Sequence, residues 1–131
     1  MASPLHLLQS GARLHRWTRR AFLGALAMPN FVKAIQRFAY NQTAANEGAV
    51  ACALERYHLA HGDYPETLAA LTPQFIAKLP HDMVGGQPLK YRRTNDGRFV
   101  LYSVGWNETD DGGLEVAGSP EKGDWAWPPV K

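Results

Sequence analysis

Tyr91-Arg-Arg-Thr-Asn-Asp-Gly-Arg-Phe-Val-Leu-Tyr-Ser-Val-Gly105 reads as two β-strands folded about a tight turn. Aromatic and β-branched residues dominate both arms, and Asn95, Asp96 and Gly97 supply the residue types that a hairpin turn needs. The strands are expected over Leu89 to Thr94 and Arg98 to Val104. In the second, Phe99, Leu101 and Ser103 alternate with Val100, Tyr102 and Val104, so both faces should be partly covered. Trp106 to Gly113 then forms an acidic, glycine-rich loop. Trp125 and Trp127 read as a last edge strand, stopped by Pro128 and Pro129.

Upstream of the hairpin, the chain from Asn30 to His61 contains no proline and one glycine, Gly48. Pro29 is suited to a first helical turn, so the helix is expected to open there. Phe31, Ile35, Phe38, Gln42, Ala45, Ala49, Cys52 and Arg56 follow steps of three and four, which predicts a narrow packing seam. At 1.5 Å per residue the helix is about 45–50 Å long, more than the rest of the chain can cover. Its N-terminal part should therefore project or rest on something else. Gly62 supplies a stop and Pro65 prevents continuation. Two short proline-opened helical turns are expected over Pro65 to Leu71 and Pro73 to Leu79, with Leu68, Leu71, Phe75, Ile76 and Leu79 folding back on the helix. Pro80 to Pro88 reads as a loop. The fold class predicted is α+β, one long helix packed on a small antiparallel sheet.

The 131 residues have room for one modest core, and the formal charge is only +2. Much of the basic excess lies near the start, in Arg13, Arg16, Arg19, Arg20, Lys33 and Arg37. Residues 1–28 read as a basic, partly helical or disordered segment, and residues 29–131 as the globular domain. The first segment suits either contact with a membrane surface or the remnant of a longer chain, and the remnant is the favoured reading. Ala21 to Met28 is far short of the roughly 20 residues that cross a bilayer. Thr18 to Leu23 resembles a twin-arginine export signal, but Pro29, Asn30 and Lys33 interrupt the apolar region, which argues against it. The single Cys52 has no disulfide partner and is expected to be a small buried residue.

Several landmarks fall in a fixed order: Ala-x3-Tyr-x3-His-Gly-x-Tyr-Pro, a Leu-x2-Leu turn, Gly-x-Pro-Leu-x-Tyr, Leu-Tyr-Ser-Val-Gly and Gly-Asp-x-x-Trp. In this order, from Asn30 to Trp127, the chain resembles the globular domain of type II secretion major pseudopilins. Within that group it is most similar to pseudopilin-like C-terminal segments of larger bacterial envelope proteins. The resemblance implies a pilin-like fold, no catalysis, and a role in assembling an envelope fibre or secretion apparatus, on the periplasmic or extracytoplasmic face of the inner membrane. The implied partners are envelope or secretion-apparatus proteins, or the rest of a longer parent chain. The prepilin leader, the Phe-Thr-Leu-x-Glu start and the apolar half of the pilin helix are not found in these residues. The expectation is that the chain is a fragment or a diverged relative that does not polymerise through the usual helix bundle.

The same resemblance implies calcium in the loop after the Ser-x-Gly strand. The matching residues here are Asn107, Asp110, Asp111 and Asp124, with Asn107 where the family usually carries its first loop aspartate. Hard oxygen ligands are what calcium requires, and Gly105, Gly112 and Gly113 permit the turns. The plain alternative is a solvated acidic loop. A second class of function is a metal-dependent enzyme built on His58, His61 and Asp63, with His81 nearby. Against it, His61 stands at a helix end beside Gly62, where an imidazole meets free carbonyls. A third is an exported binding module. Tyr91, Arg92, Arg93, Arg98 and Tyr102 mix basic and aromatic groups, but a solvated hairpin explains them and nucleic acid is not expected as a partner. No nucleophile elbow, phosphate loop or Cys-x-x-Cys occurs.

Overall fold

Helix α1 spans Leu5–His61 in a computed structural model that describes residues 5–116, 119 and 121–128. Two compact units divide the chain, residues 1–35 and residues 36–131. The first is helical throughout its described length. The expected start at Pro29 is corrected, because α1 runs through that proline. Pro29 lacks the N–H that would bond the carbonyl of Ala25, so the cost falls on one turn while the helix continues on either side.

In the second unit the helix ends as its sequence directs. Gly62 takes φ of +81° and donates its N–H to the carbonyl of His58 at 2.7 Å, closing the last turn. A short 3-10 turn, Leu68–Leu71, follows and buries Leu71. The second helical turn predicted after Pro73 does not form; the chain turns at Phe75 and Ile76, whose N–H groups both reach the carbonyl of Leu71. Strands β1 (Lys90–Arg93), β2 (Phe99–Ser103) and β3 (Trp125–Ala126) make an antiparallel sheet in the order β1-β2-β3. Lys90 pairs with Tyr102, Arg93 with Phe99, and Ser103 with Trp125. The hairpin turn lies where it was expected, with Thr94 N–H bonded to Arg98 O at 2.9 Å. Trp127 falls just outside β3, although its N–H still reaches the carbonyl of Leu101 at 2.8 Å.

The helix packs on this sheet through Val50, Ala53 and Leu54, which form a core with Leu71, Leu89 and Leu101. The buried line along α1 is Ala39, Thr43, Glu47, Val50 and Leu54. Steps of four, four, three and four keep these residues on one face. The seam predicted from apolar spacing is a different face and is corrected. Phe31, Ile35, Phe38, Ala45, Ala49, Cys52 and Arg56 are all exposed. Cys52 is therefore not the buried packing residue expected. Gly48 lies beside the true line. A Cβ there would come within 3.2 Å of the Trp127 ring, so the absent side chain is what lets the indole lie on the helix.

Candidate functional site

Two groups of polar residues in the second unit have chemistry that the core alone does not require. One is the acidic loop after β2. Gly105 begins it at φ of +69°, and a Cβ there would stand 2.5 Å from the carbonyl of Gly123, so only glycine fits. Asn107 forms an Asx turn, its Oδ1 accepting the N–H of Thr109 at 3.1 Å, and its Nδ2 donates to Asp111 at 3.4 Å. Asp110 Oδ1 accepts the hydroxyl of Tyr102 at 2.9 Å and the N–H of Gly112 at 3.0 Å. Lys90 Nζ stands 3.8 Å from its other oxygen. The Gly112 N–H, then the Tyr102 hydroxyl, hold the Asp110 carboxyl below its ordinary range.

Asp124 organises the loop from the other side. It is buried, and its Oδ2 accepts two loop N–H groups, Asp111 at 3.0 Å and Gly113 at 2.6 Å. Its Oδ1 is buried without a hydrogen-bond partner. Three of the residues predicted as calcium ligands thus share one loop and Asp124 reaches it from beside β3, but most of their contacts are to N–H and O–H donors. The chemistry of the donor set suits a hard cation, and Asp124 Oδ1 is the oxygen left unmatched. Among the described residues, no group of three or more His, Cys, Asp or Glu is arranged to hold a metal ion.

The second group escaped sequence reasoning. Thr43 and Glu47, one helical turn apart, are buried with Thr43 Oγ1 and Glu47 Oε1 unpartnered. The Glu47 carboxyl receives the N–H of Ser103. Ser103 Oγ donates in turn to Asp82 and accepts the N–H of Gly105 at 3.0 Å. Burial pushes the Glu47 carboxyl from 4.5 up to about 8, and the negative charges of Glu115 and Asp82 add to the rise, against the Ser103 N–H. The available signal was positional: Thr43 and Glu47 continue the line of Val50 and Leu54, and Ser103 interrupts an apolar strand.

The histidines considered for an enzyme have separate engagements. His58 stacks on Tyr64 at 4.5 Å, and His61 stacks on Tyr57 at 4.1 Å with its Nδ1 3.1 Å from the Tyr57 carbonyl. Asp63 pairs with Arg93 at 2.5 Å, and the backbone of His81 forms an isolated β-bridge with Pro88. The hairpin cations are likewise occupied, Arg92 by the carbonyl of Gly112 and Arg98 by Asp96.

Among the described residues, no helix is long and apolar enough to cross a membrane. Comparison with protein-family models, with curated proteins and with solved structures found no match for this chain.

Proposed function

We propose that this chain is a non-enzymatic assembly and interaction module of the bacterial envelope, similar in role to a type II secretion pseudopilin. The supporting observation is the mismatch between α1 and what covers it. Within the second unit α1 buries one line from Ala39 to Leu54, while a face with Ala45, Ala49 and Cys52 is open. Small side chains let a second backbone approach closely, which suits helix docking better than substrate capture. The separate engagement of His58, His61 and Asp63 also favours this reading over a metal-dependent enzyme.

Photo-cross-linkers placed at Ala45 and Ala49 in the native bacterium test it. Adducts with envelope or secretion-apparatus proteins are expected. Adducts confined to cytoplasmic proteins, or an adduct-free chain in the cytoplasmic fraction, would sink the proposal.

Calcium belongs to the same proposal as a stabiliser of the loop. Asp124 Oδ1 with the carboxylates of Asp110 and Asp111 and the amide oxygen of Asn107 would hold it, and the ion would offset their clustered negative charge. Calcium should raise the melting temperature of the native chain and leave Asp124→Asn unmoved, since a ligand of the folded state must stabilise it. Equal melts in calcium and chelator would remove the ion.

A further inference from the structure

The first 46 residues contain six of the fourteen Lys and Arg residues and none of the twelve Asp and Glu residues. The first acid is Glu47. The remainder of the chain has the opposite balance, eight basic against twelve acidic residues. An anionic partner is therefore drawn to the N-terminal helix and repelled by the rest.

That helix is not merely basic. Within the first unit, Met28, Phe31, Val32 and Ile35 are exposed, Met28 by 64%, Phe31 by 65%, Val32 by 44% and Ile35 by 43%. Their spacing of three, one and three residues places them within an arc of about 100° on the helix, with Lys33 toward the opposite side. An exposed apolar arc on a cationic helix separates two classes of anionic partner. A nucleic-acid backbone neutralises the cations but gives Phe31 and Ile35 nothing to enter. An anionic bilayer satisfies both requirements, since headgroups meet the cations while acyl chains receive the apolar side chains. The apolar arc is too short for a crossing, so the geometry is a helix lying in the interface.

We propose that Met28, Phe31, Val32 and Ile35 form a docking face for an anionic phospholipid surface. The cations of the same helix supply the attraction. This inference does not depend on the pseudopilin-like reading.

The test is co-sedimentation of the full chain with vesicles of phosphatidylglycerol and phosphatidylcholine, against vesicles of phosphatidylcholine alone. Binding to the anionic vesicles is expected, weakening as salt is raised. Phe31→Asp with Ile35→Asp, and separately Phe31→Ser with Ile35→Ser, should each lower vesicle affinity by about tenfold or more. Both positions are exposed, so unchanged far-UV circular dichroism is expected in both variants. Absence of binding to anionic vesicles overturns the proposal. Binding undiminished in both variants also overturns it, because charge alone would then suffice. A lipid-free dimer that both variants dissociate, seen by sedimentation velocity, would assign the face to a second copy and equally overturn it.

Discussion

Along the buried face of α1, Val50, Ala53 and Leu54 meet Leu71, Leu89 and Leu101, whereas the preceding turns bury Thr43 and Glu47. The apolar end gains from every methylene removed from water, whatever the pH. At the other end Glu47 takes one N–H from Ser103 and leaves Oε1 unmatched, with Asp82 and Glu115 adding like charge. This second end adds little to stability. It adds discrimination, because only one register of helix on sheet brings Glu47 to Ser103. The two ends of one interface thus divide adhesion from alignment.

The largest way to break this contrast is Leu54→Ala, at a fully buried site of the apolar end. It should cost about 3–5 kcal/mol in urea unfolding, nearly independent of pH. The polar end should behave in the opposite manner. Because the Glu47 carboxyl is raised from 4.5 to about 8, the folded state binds more protons than the unfolded chain between those values. Stability is then complete below pH 4.5 and is lost as pH rises toward 8. The slope approaches about 1.4 kcal/mol per pH unit and accumulates to at most about 5 kcal/mol. Glu47→Gln should remove that slope; a variant whose stability still falls in parallel with the native protein would refute the assignment. Asp110 works with the other sign, since its depressed pKa adds stability that is lost only as the solution becomes acidic.

Asp124→Ala removes the acceptor of two loop N–H groups and should cost about 2–3 kcal/mol. Hydrogen exchange should quicken at Asp111 and Gly113 before it does in β1. The smallest effect is expected for Arg93→Ala, whose pair with Asp63 is partly exposed on both sides. Less than about 1 kcal/mol should be lost, and a larger loss would mean that the hairpin is held by charge more than by packing.

How much of this was legible depended on whether a residue's type agreed with its burial. The hairpin was, because Asn95, Asp96 and Gly97 satisfy the turn locally and Phe99 to Ser103 form a strand around it. The helix stop was also legible, since Gly62 acts through its own backbone. The buried face of the helix was not. Hydrophobic periodicity selected Phe31, Ile35 and Phe38, which are exposed, and passed over Thr43 and Glu47, whose polarity argues for solvent. No local rule marks a glutamate for burial, because the Ser103 N–H that receives it lies on a strand far along the chain. The loop residues were found together, but their partners were not. That Asp124 bonds the N–H groups of Asp111 and Gly113 depends on β3 returning beside β2.

The pairing of β3 with β2, and the resting of Trp127 on Gly48, join the latest-made strand to the middle of an early helix. On the ribosome, α1 and the β1–β2 hairpin emerge before the strand that closes them. Until Trp125 and Trp127 arrive, Tyr40 lacks its 5.3 Å ring contact with Trp125 and the Gly48 surface remains wet. The fold therefore waits on β3, through contacts of long sequence separation. A nascent chain stalled before Gly123 should have a helix and a hairpin, yet remain open to proteases along the turns from Tyr40 to Gly48.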